Sequence, residues 1–476
     1  MINNLNQFAE QSGSGFGIGS SAELDNLSKA LSAGYGVSPD TQGDGGAFRV
    51  ESLENSLKVL TYTDQHVKLW KKIPKTSAFN TVEEYNQLLS YGSEGGGFIS
   101  EGELPSAQDS VYQRKASFVK FLGTTREVTH PMTLVRSAHG DVISRMNQDG
   151  IMWMMKKIEN GLFNGNSKLG VGGSEYVEFD GLDNLIDAGN VIDLKGQGLE
   201  ERHINWGAQM IIENYGIPTD LYLPFEVMAQ FSQEFFPKER VIMPTQQGYQ
   251  AGVVVNQFQT HGGQVNFEPN VFLKKTKELQ TMASGTKAPA QPATVVAALG
   301  SGTNGEFSKY GPAPITGVGT YRYAVTACNR SGESAPTYNT ANVALASGDL
   351  NKNINITITN AATSANAVEY FKVYRTEPNG TLLYEIARIP ASSAAASSTT
   401  SFSDVNKVMP NTYTCYMGQM SEDVLQFKQL APMMKMDLAT LGPAYRWMIL
   451  LYGVPILYAP KKWMRFTNVR AQLYSV

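Results

Sequence analysis

A chain of 476 residues and 52.0 kDa is too long for one compact core, so roughly two or three domains are expected. Hydrophobic residues make up 42% of the chain, enough to fill such cores. The net charge of −4 and the isoelectric point near 5.9 argue against a large basic surface for nucleic acid. The two cysteines, Cys328 and Cys415, exclude a disulfide scaffold, fit a reducing cytoplasm and are expected to be buried apolar side chains.

The first 50 residues are rich in glycine and serine and predict a flexible arm without a core of its own. Within it, one short helix is expected over residues 22–31, and the glycines at 13, 15, 17 and 19 match no phosphate-binding spacing. The start of the chain lacks the basic and apolar segments of a secretory signal, so export by that route is not expected. An amphipathic helix over residues 51–72, ending before Pro74, is predicted to anchor the arm.

The character of the sequence changes between residues 76 and 129, where β-branched and aromatic residues are enriched. Two such runs flank GSEGGGFISEGELPS, which carries turn signals, so the segment predicts a long β-hairpin with a tip rich in Gly and Glu. An isolated two-stranded ribbon is marginally stable in water. We therefore expect the hairpin to project and to find its partner on another subunit.

Residues 141–164 form a long segment with helical periodicity. Apolar or small residues recur at spacings of three and four, which predicts a helix of about 35 Å with one buried face. Asn-Gly pairs at 160–161 and 164–165 supply its end signals. The Met and Trp side chains at 152–155 are interpreted as packing groups, not as cofactor ligands. The predicted buried face comprises Ile143, Met146, Gly150, Met154, Ile158 and Leu162.

Residues 165–285 alternate between helical and extended patterns, which favours an α+β arrangement. Helices are predicted over 203–215 and 225–236. Strands are predicted over 220–224, 252–259 and 264–267, the last two joined by a turn at His261-Gly262-Gly263.

The composition shifts at about residue 287, next to the linker-like KAPAQPA. Residues 288–411 are rich in Ala, Ser, Thr and Asn, lack helical periodicity and predict a separate β-domain. Neither 165–285 nor 423–476 looks able to close a core alone, so the β-domain is expected to interrupt another domain. Its predicted strands are 320–327, 354–359, 370–375 and 382–389, with a turn at Pro378-Asn379-Gly380.

The most apolar run of the chain lies at 447–459, with the sequence WMILLYGVPILYA. It is broken by Gly453 and Pro455 and is far shorter than the roughly 20 residues that span a bilayer. It is expected to lie in a protein core, and no membrane partner is expected.

Four stretches occur in a characteristic order. They are FRVESLENSLKVL, GFISEGELPS with the strand after it, DVISRMNQDGIMWMMKKIENGLFNGN and GPAYRWMILLYGVPIL. Together with the order of arm, anchoring helix, projecting hairpin, long helix and α+β region, they resemble the major capsid proteins of tailed bacteriophages, the Hong Kong 97 type of fold. The likeness covers residues 1–286 and 412–476.

This resemblance implies an extended loop that lies across a neighbouring subunit, a spine helix in a peripheral domain, and an axial domain at capsomer centres. The expected fold class is α+β, a Hong Kong 97-type capsid fold with an inserted all-β immunoglobulin-like sandwich. The expected map is an arm at 1–50, an anchoring helix at 51–75, the extended hairpin at 76–129, the spine-helix region at 130–165, an axial and peripheral α+β region at 166–287, the inserted sandwich at 288–411 and the remainder of the axial and peripheral domains at 412–476.

The insert is similar to an immunoglobulin-like or fibronectin type III sandwich in the runs YRYAVTACNRSGESAPT, YFKVYRTEPNGTLLYEIARI and TSFSD. In that family the hairpin precedes the YRYAVTA-type strand, whereas here it follows, so a permuted strand order is expected. The charge over 290–410 is nearly balanced, with eight Lys or Arg and seven Asp or Glu, which argues against an inner, DNA-facing location. An outer decorative or reinforcing role and weak glycan binding both stay open, and the first is favoured.

No catalytic, cofactor-binding or metal-binding residues are predicted. Glu83-Glu84 and Glu101/Glu103 could be imagined as acid/base pairs, but they lie on a projecting hairpin without a cleft to shift their pKa values. No GxSxG motif occurs. The histidines, which show neither HExxH spacing nor a nearby Cys, are His66, His130, His139, His203 and His261.

The expected function is that of a self-assembling shell protein and not of an enzyme. By resemblance, it forms hexamers and pentamers of an icosahedral head that encloses double-stranded DNA without sequence-specific contacts, and it meets portal and scaffold or decoration proteins. It is expected in the virion after assembly in the bacterial cytoplasm. The alternatives are a carbohydrate-binding surface adhesin, an encapsulin-like shell protein, and an enzyme on an unrecognised α+β domain.

Overall fold

The computed structural model describes most of the chain from residue 61 onward. The described residues are 61–92, 98–105, 107–135, 137, 140–235, 242–245, 248–251, 255–273, 276–280, 285–310, 316–439 and 442–471. The predicted arm at 1–50 and its helix at 22–31 lie outside them. All the elements below belong to one of the two compact units of the chain, formed by residues 60–134 and 142–476.

The predicted spine helix is confirmed almost to the residue, and both helices predicted after it are present. The helix expected over 203–215 starts two residues earlier, at Glu201, and the helix expected over 225–236 is described as far as Phe235. The α-helices are α1 Leu69–Lys72, α2 His130–Leu134, α3 Val142–Asn164, α4 Leu182–Leu185, α5 Glu201–Glu213 and α6 Phe225–Phe235.

The strands fall into three groups along the chain. The first group is β1 Lys75–Ser77, β2 Val82–Ser90, β3 Val111–Phe118, β4 Lys120–Thr129, β5 Val191–Asp193, β6 Asp220–Leu223, β7 Ile242–Thr245, β8 Gly248–Ala251, β9 Gln257–Thr260 and β10 Gly263–Pro269. The second is β11 Thr294–Leu299, β12 Gly319–Tyr321, β13 Tyr323–Asn329, β14 Gly332–Glu333, β15 Thr337–Tyr338, β16 Val343–Leu345, β17 Ile354–Thr359, β18 Tyr370–Thr376, β19 Leu383–Pro390 and β20 Thr399–Asp404. The third is β21 Tyr413–Gly418, β22 Leu425–Asp437, β23 Ala444–Leu457 and β24 Trp463–Val469.

A six-stranded sheet combines chain segments from both sides of the predicted insert. Its order is β5-β24-β21-β6-β10-β9. Strand β24 pairs in parallel with β5 and antiparallel with β21, and β21 pairs antiparallel with β6. Helix α5 packs on this sheet through Ile204, Ala208 and Ile211, all fully buried. The strands before residue 288 therefore need the strands after residue 411 to complete their sheet.

A four-stranded sheet of order β1-β22-β23-β4 supports the spine helix α3. Met154, Ile158 and Leu162 of α3 are buried in one apolar cluster with Trp447 and Ile449 of β23. The helix packs closely on the sheet at Gly150, where a Cβ atom would come within 2.6 Å of the Ile449 side chain. The predicted buried face of the spine is confirmed, although its first turns, at Ile143 and Met146, are only half-buried.

The apolar run at 447–459 lies mainly in strand β23, which is an inner strand of this sheet. Trp447, Ile449 and Leu451 are buried, in agreement with the predicted core position. Among the described residues, no helix is long and apolar enough to cross a membrane.

The prediction of one continuous helix over 51–72 is wrong in the part that the structure describes. A short 3₁₀ turn at Asp64–His66 ends at Val67, which is extended, and α1 begins only at Leu69. The reason is tertiary: the backbone N–H groups of Lys68, Leu69 and Trp70 donate to the Glu159 carboxylate instead of to carbonyls of a preceding helical turn. Residues 51–60 lie outside the described part.

The predicted hairpin at 76–129 is too long at both ends. Only β2 and β3 pair with each other, from Val82↔Phe118 to Ser90↔Val111. Strand β1 pairs instead with β22, and β4 pairs with β23. Both ends of the predicted hairpin therefore belong to the four-stranded sheet, where some of their apolar residues are buried. The hairpin proper therefore spans residues 82–118.

The hairpin predicted at His261-Gly262-Gly263 is confirmed, with Thr260 paired to Gly263. The strand expected over 252–259 is confirmed over 257–259 and fails at 255–256, since β9 begins only at Gln257. The backbone N–H of Val255 donates to the hydroxyl of Ser232 on α6, so this residue is held by the helix and not by a neighbouring strand.

Residues 294–404 form sheets with a separate apolar core. One sheet has the order β11-β17-β20 and a second contains β14-β13-β18-β19, with β15 paired to β13. Their buried cluster includes Val295, Tyr323, Ile356 and Phe371, and no residue of 288–411 belongs to the other apolar clusters of the described chain. The sequence predicts one strand over 320–327, but the chain changes partners after Tyr321, which pairs with Val343 in β16, while Tyr323 pairs with Arg375 in β18.

A buried ion pair connects the two sheets of this segment. The guanidinium of Arg375 on β18 donates to the Asp404 carboxylate on β20 at 2.5 Å, and the Tyr323 hydroxyl donates to the same carboxylate at 2.9 Å. Arg375 is fully buried, and its second donor group bonds Asn406. This buried pair fixes the relative position of the sheets, because separating it leaves an uncompensated charge.

Polar contacts fix the segment 288–411 to the rest of the chain. Lys309 pairs with Asp193, and Arg470 pairs with Glu377. On the approach to this segment, the backbone N–H of Leu279 donates to Leu383 at 2.8 Å, which covers the edge of β19. The Thr276 hydroxyl donates to the Thr412 carbonyl and accepts the Thr412 backbone N–H. The chain therefore enters and leaves this segment at neighbouring points.

Candidate assembly surface

The hairpin of β2 and β3 is a two-stranded ribbon that no third strand of the described chain joins. Its base is held against the four-stranded sheet. The rings of Tyr85 and Tyr458 meet edge to face at 5.0 Å, and the Gln87 side chain donates to the Tyr458 carbonyl. Lys428 of β22 lies 3.8 Å from Glu83. These contacts fix the base of the ribbon to the four-stranded sheet, while side chains on its distal part are exposed.

Large apolar side chains on the distal hairpin are not covered by the described part of the subunit. Phe98 is 103% exposed and Leu104 is 93% exposed, the values of residues without neighbours. A monomer that exposes such a group loses the free energy of burial, about 25 cal/mol per Å². The other exposed large apolar residues of the hairpin are Leu88, Leu89, Tyr91, Ile99, Val111, Tyr112 and Phe118.

The carboxylates of the hairpin do not form a catalytic pair. Glu83 and Glu84 are consecutive in β2 and therefore point to opposite faces, where they pair with Lys428 and Arg114 respectively. Glu101 and Glu103 are exposed, and the Glu103 carboxylate accepts the backbone N–H of Ser100 at 3.3 Å. These groups carry surface charge near the apolar tip.

Glu159 is a fully buried carboxylate on the spine helix, and the sequence did not single it out. It accepts the backbone N–H groups of Lys68, Leu69 and Trp70 at 3.1, 2.8 and 2.8 Å, and the side-chain amide of Asn270 at 2.6 Å. One side chain thereby joins α3, the start of α1 and the turn after β10. Burial raises the pKa of the Glu159 carboxyl, and the four donated hydrogen bonds oppose that rise.

Glu159 positions the start of α1 against the spine helix. We expect Glu159→Ala to lower the free energy of unfolding by about 3 kcal/mol or more, because four buried donors lose their acceptor. Chemical denaturation of the purified subunit measures this loss. Gln148→Ala at an exposed position of the same helix is the matched control, with an expected change within about 0.5 kcal/mol. Equal effects of the two substitutions would contradict the role of Glu159.

The other candidate groups do not converge. His66 caps its own turn through the Thr63 backbone, His130 lies against Tyr445, and burial lowers the pKa of His203. His261 is exposed, and His139 lies outside the described residues. Within the described part of the chain, no group of three or more His, Cys, Asp or Glu side chains could hold a metal ion.

Both cysteines are free and buried, as the sequence predicts. Burial raises the pKa of Cys328 to about 12 and raises that of Cys415 further above its ordinary value. A thiol with so high a pKa carries almost no thiolate at neutral pH and behaves as a small apolar side chain.

A fixed ribbon with an uncovered apolar end, on an α+β body built around a long helix, defines a structural subunit that other subunits complete. Comparison with known proteins identifies the kind of subunit. A sequence model for the SU10 major capsid protein matches residues 42–285. The chain is 31% identical over 450 residues to a protein described as the putative major capsid protein of Enterococcus phage phiEF24C, covering 94% of this chain and 95% of that one.

The major capsid protein of Staphylococcus phage K is 30% identical over 451 residues, again covering 94% of this chain and 95% of its relative. The chain belongs to the SU10 major capsid protein family. Its recognition as a tailed-phage major capsid protein is confirmed, and so are the α+β fold class and the place of the protein in the virion. The Hong Kong 97 type of the fold stays a prediction. The immunoglobulin-like nature of residues 288–411 stays a prediction.

Solved structures give weaker similarities. A Mycobacterium phage Adephagia structure aligns with a TM-score of 0.45 at 9% identity over 92% of this chain and all of the other. The encapsulin of Synechococcus elongatus PCC 7942 aligns with a TM-score of 0.39 at 10% identity over 90% of this chain and 95% of the other. The family assignment rests on the sequence matches.

Proposed function

We propose that this major capsid protein builds hexamers and pentamers of an icosahedral head, with the hairpin of residues 82–118 as a strap across a neighbouring subunit. The observation that carries the proposal is the uncovered apolar end of the hairpin, above all Phe98 and Leu104. Burial of these side chains under a second subunit removes the most fully exposed large apolar groups of the hairpin from water. A strap of this kind forms only on assembly.

The proposed domain map keeps the ranges expected from the sequence, with the hairpin shortened to 82–118. The spine-helix region and the four-stranded sheet would be the peripheral domain, and the six-stranded sheet with α5 and α6 would belong to the axial domain. In support, the family match ends at residue 285, close to the start of the insert. Residues 288–411 also have an apolar core of their own.

We propose the outer surface of the head as the location of residues 288–411. Their nearly balanced charge provides little attraction for phosphate groups, which favours the side away from packaged double-stranded DNA. The DNA would be enclosed without sequence-specific contacts. Portal and scaffold or decoration proteins would be further partners, and assembly would take place in the host cytoplasm. A purely structural role without catalysis accords with the scattered histidines and inert thiols.

Electron microscopy of the purified full-length chain tests this proposal. Closed shells or ring-shaped capsomers are the expected result, and addition of an excess of a peptide spanning residues 82–118 is expected to reduce their yield by competition. A protein that remains a discrete monomer at all concentrations would refute the proposed assembly.

Removal of the insert tests its independence from the rest of the subunit. We expect a variant with residues 277–411 replaced by a short Gly/Ser linker to fold and to form shells, because Thr276 and Thr412 already bond each other and no apolar cluster outside the insert loses a residue. Circular dichroism and electron microscopy measure the two outcomes. A variant that is insoluble would show that the insert is integral to the host sheet.

A further inference from the structure

Helix α5 ends in a backbone motif that normally requires glycine. The N–H of Gly216 donates to the Ile211 carbonyl and the N–H of Tyr215 donates to the Ile212 carbonyl, both at 2.9 Å. These two bonds define a Schellman motif, whose central residue adopts a left-handed conformation. The residue at that position is Tyr215, with φ of 60°. Tyrosine there is strained, because its Cβ crowds the backbone in the left-handed region.

The Tyr215 side chain contributes little to the stability of the fold. It is 92% exposed, so it gains almost nothing from packing inside the subunit. Glycine at this position would relieve the strain, and Asn would also be tolerated. The aromatic ring is therefore available for a contact outside the isolated subunit.

Two exposed isoleucines accompany the ring. Ile217 is 59% exposed and Ile212 is 39% exposed, and both lie against the turn that joins β9 to β10. Pro218, by contrast, is buried. Ile212, Tyr215 and Ile217 form what we call the apolar corner. An apolar group rimmed by polar residues is typical of a protein interaction site.

The rim of the corner carries both signs of charge. Glu213 lies between Ile212 and Tyr215 and is exposed. Lys461 lies in the turn that packs against the end of α5, where the stem of Lys462 approaches Gly216. A surface with an apolar centre and charges of both signs can complement a second copy of itself. This mixture of charges does not complement the uniformly negative phosphate groups of DNA.

We propose that the apolar corner is a contact between copies of this chain, with Tyr215 as its central side chain. The contact is separate from the hairpin and deepens the proposed shell assembly, on which it rests. Tyrosine is suited to such a role because it brings a large rigid surface at small cost in side-chain entropy.

A pair of substitutions at position 215 tests the proposal. Tyr215→Gly is expected to raise the thermal midpoint of the unassembled subunit by a few degrees, because it relieves the strain, and yet to raise the subunit concentration needed for assembly at least about tenfold. Tyr215→Ala removes the ring and keeps the strain, so it is expected to impair assembly equally without the gain in midpoint. Sedimentation velocity over a concentration series measures assembly.

Tyr338→Ala, which removes an exposed tyrosine of the insert, is the matched control and is expected to assemble like the wild type. If Tyr215→Ala assembles at the wild-type concentration, the corner is not a contact between copies. If the wild type itself forms no shells or capsomers, the proposed assembly has failed instead. The two failures are therefore distinguishable.

Discussion

A subunit that lacks residues 92–105 will fold and remain soluble but will not form shells. The deletion removes Phe98 and Leu104, which are almost fully exposed in the described part of the subunit, and leaves the base of the hairpin fixed by Tyr85 and Tyr458. The apolar clusters around the spine helix lose no residue. Circular dichroism should match the wild type, while sedimentation should show only small species.

A milder variant separates the side chains from the length of the hairpin. Phe98→Ser combined with Leu104→Ser keeps the ribbon and is expected to weaken assembly strongly, since two apolar anchors are lost. Leu382→Ser, at an exposed position of the insert, is the control and should leave assembly unchanged. Normal shells from the deletion variant would disprove the strap.

Met154→Asp will prevent folding of the whole subunit. Met154 is fully buried in the cluster that joins α3 to the four-stranded sheet and to Trp463 of the six-stranded sheet. A carboxylate placed there has no partner and costs several kcal/mol, comparable to the roughly 5–15 kcal/mol that stabilise a typical domain. We expect insoluble protein, or a soluble fraction without cooperative thermal unfolding.

The control for this substitution is Gln148→Asp, which places the same charge on the exposed side of the same helix. It is expected to change the free energy of unfolding by less than about 0.5 kcal/mol. Soluble, assembled Met154→Asp protein would mean that the buried face of the spine has been wrongly assigned.

The sequence predicted best the elements whose pattern is decided by one buried face. The spine helix was placed within one residue because apolar or small side chains recur at helical spacing from Ile143 to Leu162. Strand β17 matched its predicted bounds, 354–359, because INITIT alternates strictly between buried and exposed residues. In both cases the local pattern and the tertiary environment agree.

The sequence failed where a distant group decides the local structure. The apolar spacing over 51–72 suits a helix, but the Glu159 carboxylate fixes the N–H groups at 68–70 from about ninety residues away. Glu159 itself could be suspected only because the residues four positions on either side, Met155 and Phe163, are apolar. Likewise, TYRYAVTA reads as one strand, since alternation does not reveal that Tyr321 and Tyr323 belong to different sheets.

The corner of Ile212, Tyr215 and Ile217 escaped notice for a different reason. Its signal is a backbone angle at a helix end, and the sequence Asn-Tyr-Gly would ordinarily place the left-handed residue at the glycine. Gly216 instead permits close packing next to Tyr215, because a Cβ there would lie 2.7 Å from the Ile211 side chain.

The interleaved six-stranded sheet also sets an order of events during synthesis on the ribosome. Residues 294–409 contain their whole apolar core and can fold as soon as they emerge, whereas β5 waits for β24, which ends at Val469. At about 5–20 residues per second, the last 65 or so residues take roughly 3–13 s to follow. Through that interval the nascent chain carries one finished module and one open sheet, so an incompletely translated subunit lacks the strand that closes its body and cannot enter a growing head.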